Sequence, residues 1–145
     1  MEGLLLMLQR LVPSERSLRI ALGVLLAVIA LNAFGGGVYG LAGAPGVPRT
    51  WLAGSPFATY FIPSVVLLVV VGGACLLAAI AVLDGWTRAR LLALGAGAIV
   101  LGWLGVQVAI IGYVSWMQPT TAAAGAVAVA LALLCPSLPA RHATR

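Results

Sequence analysis

Charge is what this sequence has least of. Only 8% of its 145 residues are charged, lysine is absent, and the acidic residues number three. Soluble domains carry roughly a quarter of their residues as charged side chains. A water-soluble surface cannot be built from so few. With 63% of the chain hydrophobic, the apolar surface is expected to face lipid. The net charge of +5 comes entirely from arginine. These arginines sit at the ends of apolar segments, without the clustered basic face that nucleic acid requires.

The scarcity extends to the chemistry-bearing residues. No Asp, Glu, Arg or His falls well inside an apolar segment, which argues against proton relays and ion-coupled transport. Small multidrug transporters have four short spans but depend on a membrane-embedded Glu that this chain lacks. The polar signature of fluoride channels, which share its size, is also missing. The single histidine, His142, excludes haem ligation by paired histidines within one chain and leaves no Ser/His/Asp set. Cys75 and Cys135 have neither CxxC nor metal-ligand spacing. Helical rise puts them at depths about 10 Å apart, too far for a disulfide, so both read as small packing residues. No cofactor or metal is expected.

What is present is four long apolar runs, expected as an all-α transmembrane four-helix bundle within a single domain. Residues 1–12 read as a short interfacial helix ended by Pro13. The first span is expected at 18–34, with Ser14 as N-cap. A charged stretch before an apolar one also fits a signal peptide, but the segments that follow are spans, so the first is read as an ordinary one. Residues 35–60, rich in Gly and Pro, form the only long connection. Their Tyr39, Trp51, Phe57 and Tyr60 favour an ordered loop. The second span, 61–83, opens on Pro63 in its first turn. Asp84-Gly85 turns the chain, and Asp84 with Arg88 reads as a cap for the third span, 88–114. The fourth, 120–134, follows Pro119. Small and large residues alternate from Ala126 to Leu133, but a lone strand cannot span lipid with its backbone unpaired.

Orientation follows from the arginines. With the N-terminus inside, Arg10, Arg16, Arg19, Arg88, Arg90, Arg141 and Arg145 are cytoplasmic and only Arg49 is outside, a strong positive-inside bias. Both termini are then cytoplasmic.

Small residues at steps of three and four run along the third span: Gly95, Ala98, Gly102, Gly105, Ala109 and Gly112. Such a stripe lets membrane helices approach closely, so it is expected to pack against a neighbour in a tight bundle with little room for a central pore. Gly23, Ala27 and Ala30 repeat the pattern in the first span, and Gly72, Cys75 and Ala79 in the second. Gln107 lies on the opposite face of the third span, with Trp103 and Ile110.

The polar groups Asn32, Ser64, Gln107 and Tyr113 fall at one level, in the outer half. They are candidates for an outward-facing pocket roofed by the loop that carries Arg49, which could hold an anion or a lipid phosphate. The alternative is interhelical hydrogen bonding for stability.

The stretches GSPFATYFIPSVVLLVVVGG (Gly54 to Gly73) and LGWLGVQVAIIGYVSWMQP (Leu101 to Pro119) resemble segments of small, uncharacterised bacterial four-span membrane proteins. The resemblance runs from Asn32 onward and implies a bacterial inner-membrane protein, without implying an activity. The expected function is non-enzymatic: a self-associating protein or an accessory subunit of a membrane complex, in contact with lipid. The alternative is a transporter or a lipid- or small-molecule-binding protein using the outer polar pocket.

Overall fold

The computed structural model describes residues 13–135. The expected interfacial helix at 1–12, and the arginines at 10, 141 and 145, lie outside the described residues. Within them the chain is helical, with four helices long and apolar enough to cross a membrane: α1 (Glu15–Leu41), α2 (Phe61–Asp84), α3 (Ala89–Ile111) and α4 (Met117–Leu134). Consecutive helices pack side by side, and α4 meets α1 less extensively.

α1 starts where Ser14 dictates. Its hydroxyl accepts the Ser17 N–H at 3.1 Å, and Glu15 sits at the positive end of the helix. The other end corrects the sequence reading, since the helix runs on past Phe34 to Leu41. Glycine costs about 1 kcal/mol in a helix, yet here it permits close approach between α1 and α2. A Cβ on Gly37 would lie 2.6 Å from Leu68 Cβ, and one on Gly40 would collide with Ser64 Oγ. Gly43 stops the helix at φ 91°. Its N–H bonds Gly40 O at 3.0 Å and the Ala44 N–H bonds Tyr39 O at 3.1 Å, a Schellman closure.

α2 carries Pro63 in its first turn, as expected, and ends at Gly85 with φ 72°. Its middle, Val66–Gly72, is π-helical. α3 ends at Ile111, earlier than expected, because Gly112 leaves helical geometry at φ 72°, ψ −167°. α4 begins three residues early, at Met117, which puts Pro119 inside its first turn, where a missing N–H is tolerated. The expected Asp84–Arg88 cap is not formed. Arg88 itself occupies the N-cap position of α3 without a side-chain hydrogen bond.

Two arginines cap helices instead. Arg19 at the start of α1 donates to Leu83 O at the end of α2, at 3.1 Å. Arg90 at the start of α3 donates to Leu133 O at the end of α4, at 3.4 Å. Each places a cation where the neighbouring helix has free carbonyls and a negative dipole end.

The tightest packing lies toward this end of the bundle, which we call the capped end. Leu22, Leu26 and Cys75 are fully buried there among Ala78, Ala81, Ala93 and Ala132, and Cys135 joins the same core. On α1 and α2 the expected small residues do face inward: Gly23 abuts Leu83, and Gly72 abuts Phe34. On α3 they do not. The buried face is Ala89, Ala93, Ala96, Gly97, Val100 and Leu104. Gly95, Ala98, Gly102, Gly105 and Ala109 are exposed, and a Cβ on Gly95, Gly102, Gly105 or Gly112 would meet nothing within 4 Å. The stripe therefore points away from the bundle. The glycine that brings α3 onto α4 is Gly97, whose Cβ position lies 2.5 Å from Val129. Both faces of α3 are apolar and small, so periodicity identified a stripe without assigning it to the inside.

Candidate functional site: a cavity at the loop end

Toward the other end, where residues 42–60 join α1 to α2, the bundle opens. A cavity of about 340 Å³ lies among all four helices and the loop. That is within the roughly 300–1,000 Å³ range of small-molecule pockets. The alanine face that closes the capped half gives way here to larger and more widely spaced side chains. Val71 and Val100 stand at the boundary with the core and also line the cavity.

The loop forms the roof and is held by two tyrosines, Tyr39 near the end of α1 and Tyr60 in the loop. Tyr39 Oη donates to Pro45 O, and Tyr60 Oη donates to Pro48 O at 2.7 Å. Burial pushes the Tyr60 phenol up from its ordinary value. A 3₁₀ turn at Arg49–Leu52 brings Trp51 onto the cavity, and Ala44, buried with φ 47°, completes the cover.

Three of the five residues expected in a ligand site line this cavity: Asn32 on α1, Ser64 on α2 and Gln107 on α3. The Ser64 hydroxyl is already engaged, donating to Tyr60 O at 2.6 Å. The Asn32 and Gln107 amides make no side-chain hydrogen bond among the described residues. Since α1 runs to Leu41, Asn32 lies about 14 Å below the helix end at 1.5 Å per residue, deeper than a span ending at Phe34 implied. The other two expected residues are elsewhere. Arg49 lines a neighbouring cavity of about 250 Å³ with Leu41, Leu52, Thr59 and Phe61. Tyr113 is 70% exposed, on the far side of the Gly112 turn.

Two contributors were not legible in the sequence. Gln118 is buried beside the cavity. Its side-chain oxygen accepts the Val114 and Ser115 N–H groups at 2.9 and 3.3 Å, and its amide nitrogen donates to Gly112 O at 3.0 Å. It closes the α3–α4 turn, which takes up its oxygen and one of its two amide N–H donors. The only available hint was a polar residue beside Pro119. The second is the π-helical stretch of α2, which contributes Leu67 and Val71 to the wall. Wide turns of this kind recur at functional sites, but the run of valines that forms it carries no sequence marker.

The cavity can hold an apolar body against Trp103, Leu104 and Ile111 and offer two amides to a polar group. Each amide both donates and accepts. It offers no nucleophile paired with a base, and among the described residues no group of three His, Cys, Asp or Glu could hold a metal ion. Comparison with protein-family models, characterised proteins and solved structures gave no match.

Proposed function

We propose that this chain is a non-enzymatic multi-pass protein of a bacterial inner membrane that binds a lipid or another small apolar molecule in the loop-end cavity. The observation that carries the reading is the pair of amides, Asn32 and Gln107, lining a cavity of about 340 Å³ without protein partners. Asn32 is exposed and Gln107 half-buried along this space, and where lipid replaces water an amide without a partner is disfavoured, which favours a ligand that completes them. The arginine distribution supports a loop end facing outward and a capped end facing the cytoplasm. The test is extraction of the full chain from its native membrane in mild detergent, followed by mass spectrometry of what remains bound. An apolar molecule should be enriched over bulk lipid and lost from Thr121→Phe, which fills the cavity from α4. Bulk-lipid composition in both samples would overturn the reading.

A second reading, self-association or service as a membrane subunit, draws on a different observation. The exposed small face of α3, from Gly95 to Gly112, has open space above its glycines. A smooth face of this kind is suited to close helix contact in lipid. Cross-linking through cysteines placed at Gly102 should capture dimers in native membranes if this face is used. Monomers alone would remove that reading.

A further inference from the structure

Resting on the cavity reading above, we propose that the ligand is an uncharged amphiphile, with a carbonyl or hydroxyl head paired to Asn32 and Gln107 and an apolar body against the aromatic wall. Anionic phospholipids are excluded. Among the described residues no Asp, Glu, Lys, Arg or His lines the cavity. Its ionisable members are Tyr39 and Tyr60, whose hydroxyls already donate to the Pro45 and Pro48 carbonyls. Arg49, the only basic side chain at the loop end among the described residues, faces the neighbouring cavity, and Gly40 and Tyr60 line both spaces and stand between them. The other described arginines, at 16, 19, 88 and 90, are at the capped end.

A phosphate entering the main cavity would shed water and meet no cation. Burial of an unpaired charge is far costlier than burial of a hydroxyl or carbonyl. An amide, by contrast, satisfies either of those neutral groups, as donor to a carbonyl and as donor or acceptor to a hydroxyl. Two amides on different helices, α1 and α3, offer such a head both donors and acceptors. Most of the rest of the wall, including Leu67, Leu104 and Ile111, is apolar.

The cavity tryptophans give the readout. Trp86 and Trp116 are 45% and 73% exposed, so the full chain carrying Trp86→Phe and Trp116→Phe reports from Trp51 and Trp103 alone. Quenching of this protein in detergent is titrated with three bromine-labelled probes: a diacylglycerol, a phosphatidic acid with the same acyl chains, and a single-chain fatty alcohol. Saturable quenching is expected from a neutral probe at concentrations at least tenfold below those the phosphatidic acid requires. The diacylglycerol binding better identifies a membrane lipid as the source; the alcohol binding better identifies a smaller amphiphile. Asn32→Leu and Gln107→Met should each weaken the neutral probe about tenfold while the helical circular dichroism is kept. Phosphatidic acid binding as tightly as the neutral probes, or losing affinity with Arg49→Gln, overturns the charge selection and leaves the cavity reading intact. Unaltered affinity in both amide variants overturns the assigned pairing. Absence of saturable quenching by any probe in a folded protein, unchanged by Thr121→Phe, overturns both.

Discussion

At the scale of single residues, the polar side chains differ in how far the protein itself satisfies them. Gln118 has three backbone partners at 2.9, 3.3 and 3.0 Å. Gln118→Leu keeps the volume but strands two N–H groups and a carbonyl. A loss of about 1–3 kcal/mol per buried unsatisfied group is the usual cost, so a clear drop in melting temperature is expected in detergent. Asn32→Leu, which strands no protein partner, should melt at or above the parent. Tyr60 makes the loop sensitive to base. Its phenol is pushed above the ordinary value of about 10 by burial, so the folded loop favours the protonated form. That contribution is complete below the unfolded value and disappears as pH rises through the folded one. Absorbance titration of tyrosinate should track a rise in proteolysis of the loop, and Tyr60→Phe should remove the alkaline phase while loosening the loop at neutral pH.

At the scale of elements, glycine has opposite consequences on α1 and α3. A Cβ added to Gly37 would lie 2.6 Å from Leu68 Cβ, whereas one added to Gly105 would meet nothing within 4 Å. Gly37→Leu should cost about 1–3 kcal/mol by overpacking. Gly105→Leu should leave the single bundle intact, or stabilise it by up to about 1 kcal/mol through helix propensity. Thermal melts of the two variants give opposite signs if α3 is turned as described, and a large loss in both would mean that the glycine stripe is buried. Gly37 also shows why the sequence places the end of α1 too early. A Gly-rich stretch after an apolar run reads locally as a loop, and nothing in it shows that Leu68 and Ser64 stand opposite. Ser14, Pro63 and Gly85 were placed correctly because their effects are local: a side chain accepting from its own first turn, a ring without an N–H, a residue free to take positive φ.

At the scale of the whole molecule, dense packing and open space are separated along the bundle axis. The capped end is alanine-lined and closed by Arg19 and Arg90 on neighbouring helix termini. The loop end keeps its cavity beneath a roof pinned by two tyrosines. If the chain spans the inner membrane with the capped end inside, a cysteine at Trp51 should react with an impermeant reagent added outside, and one at Arg88 should not. Reaction at the Arg88 position from outside would reverse the orientation. It would leave the cavity in place but open it to the cytoplasm.

By itself the sequence determined the four apolar helices, both ends of α2, the start of α3 and the end of α4. Each of these depends on composition or on spacing along one segment. Only the tertiary structure decided which face of α3 is inside, how far α1 runs, and that two of the amides remain without partners around a common cavity. The reason lies in the solvent. In water, polarity distinguishes the inside of a helix from its outside, and periodicity reveals it. In a chain whose inner and outer faces are both apolar, that contrast vanishes. Inside is then settled by fit between helices, Gly97 against Val129 and Gly37 against Leu68, and fit between distant segments leaves no mark on either one alone.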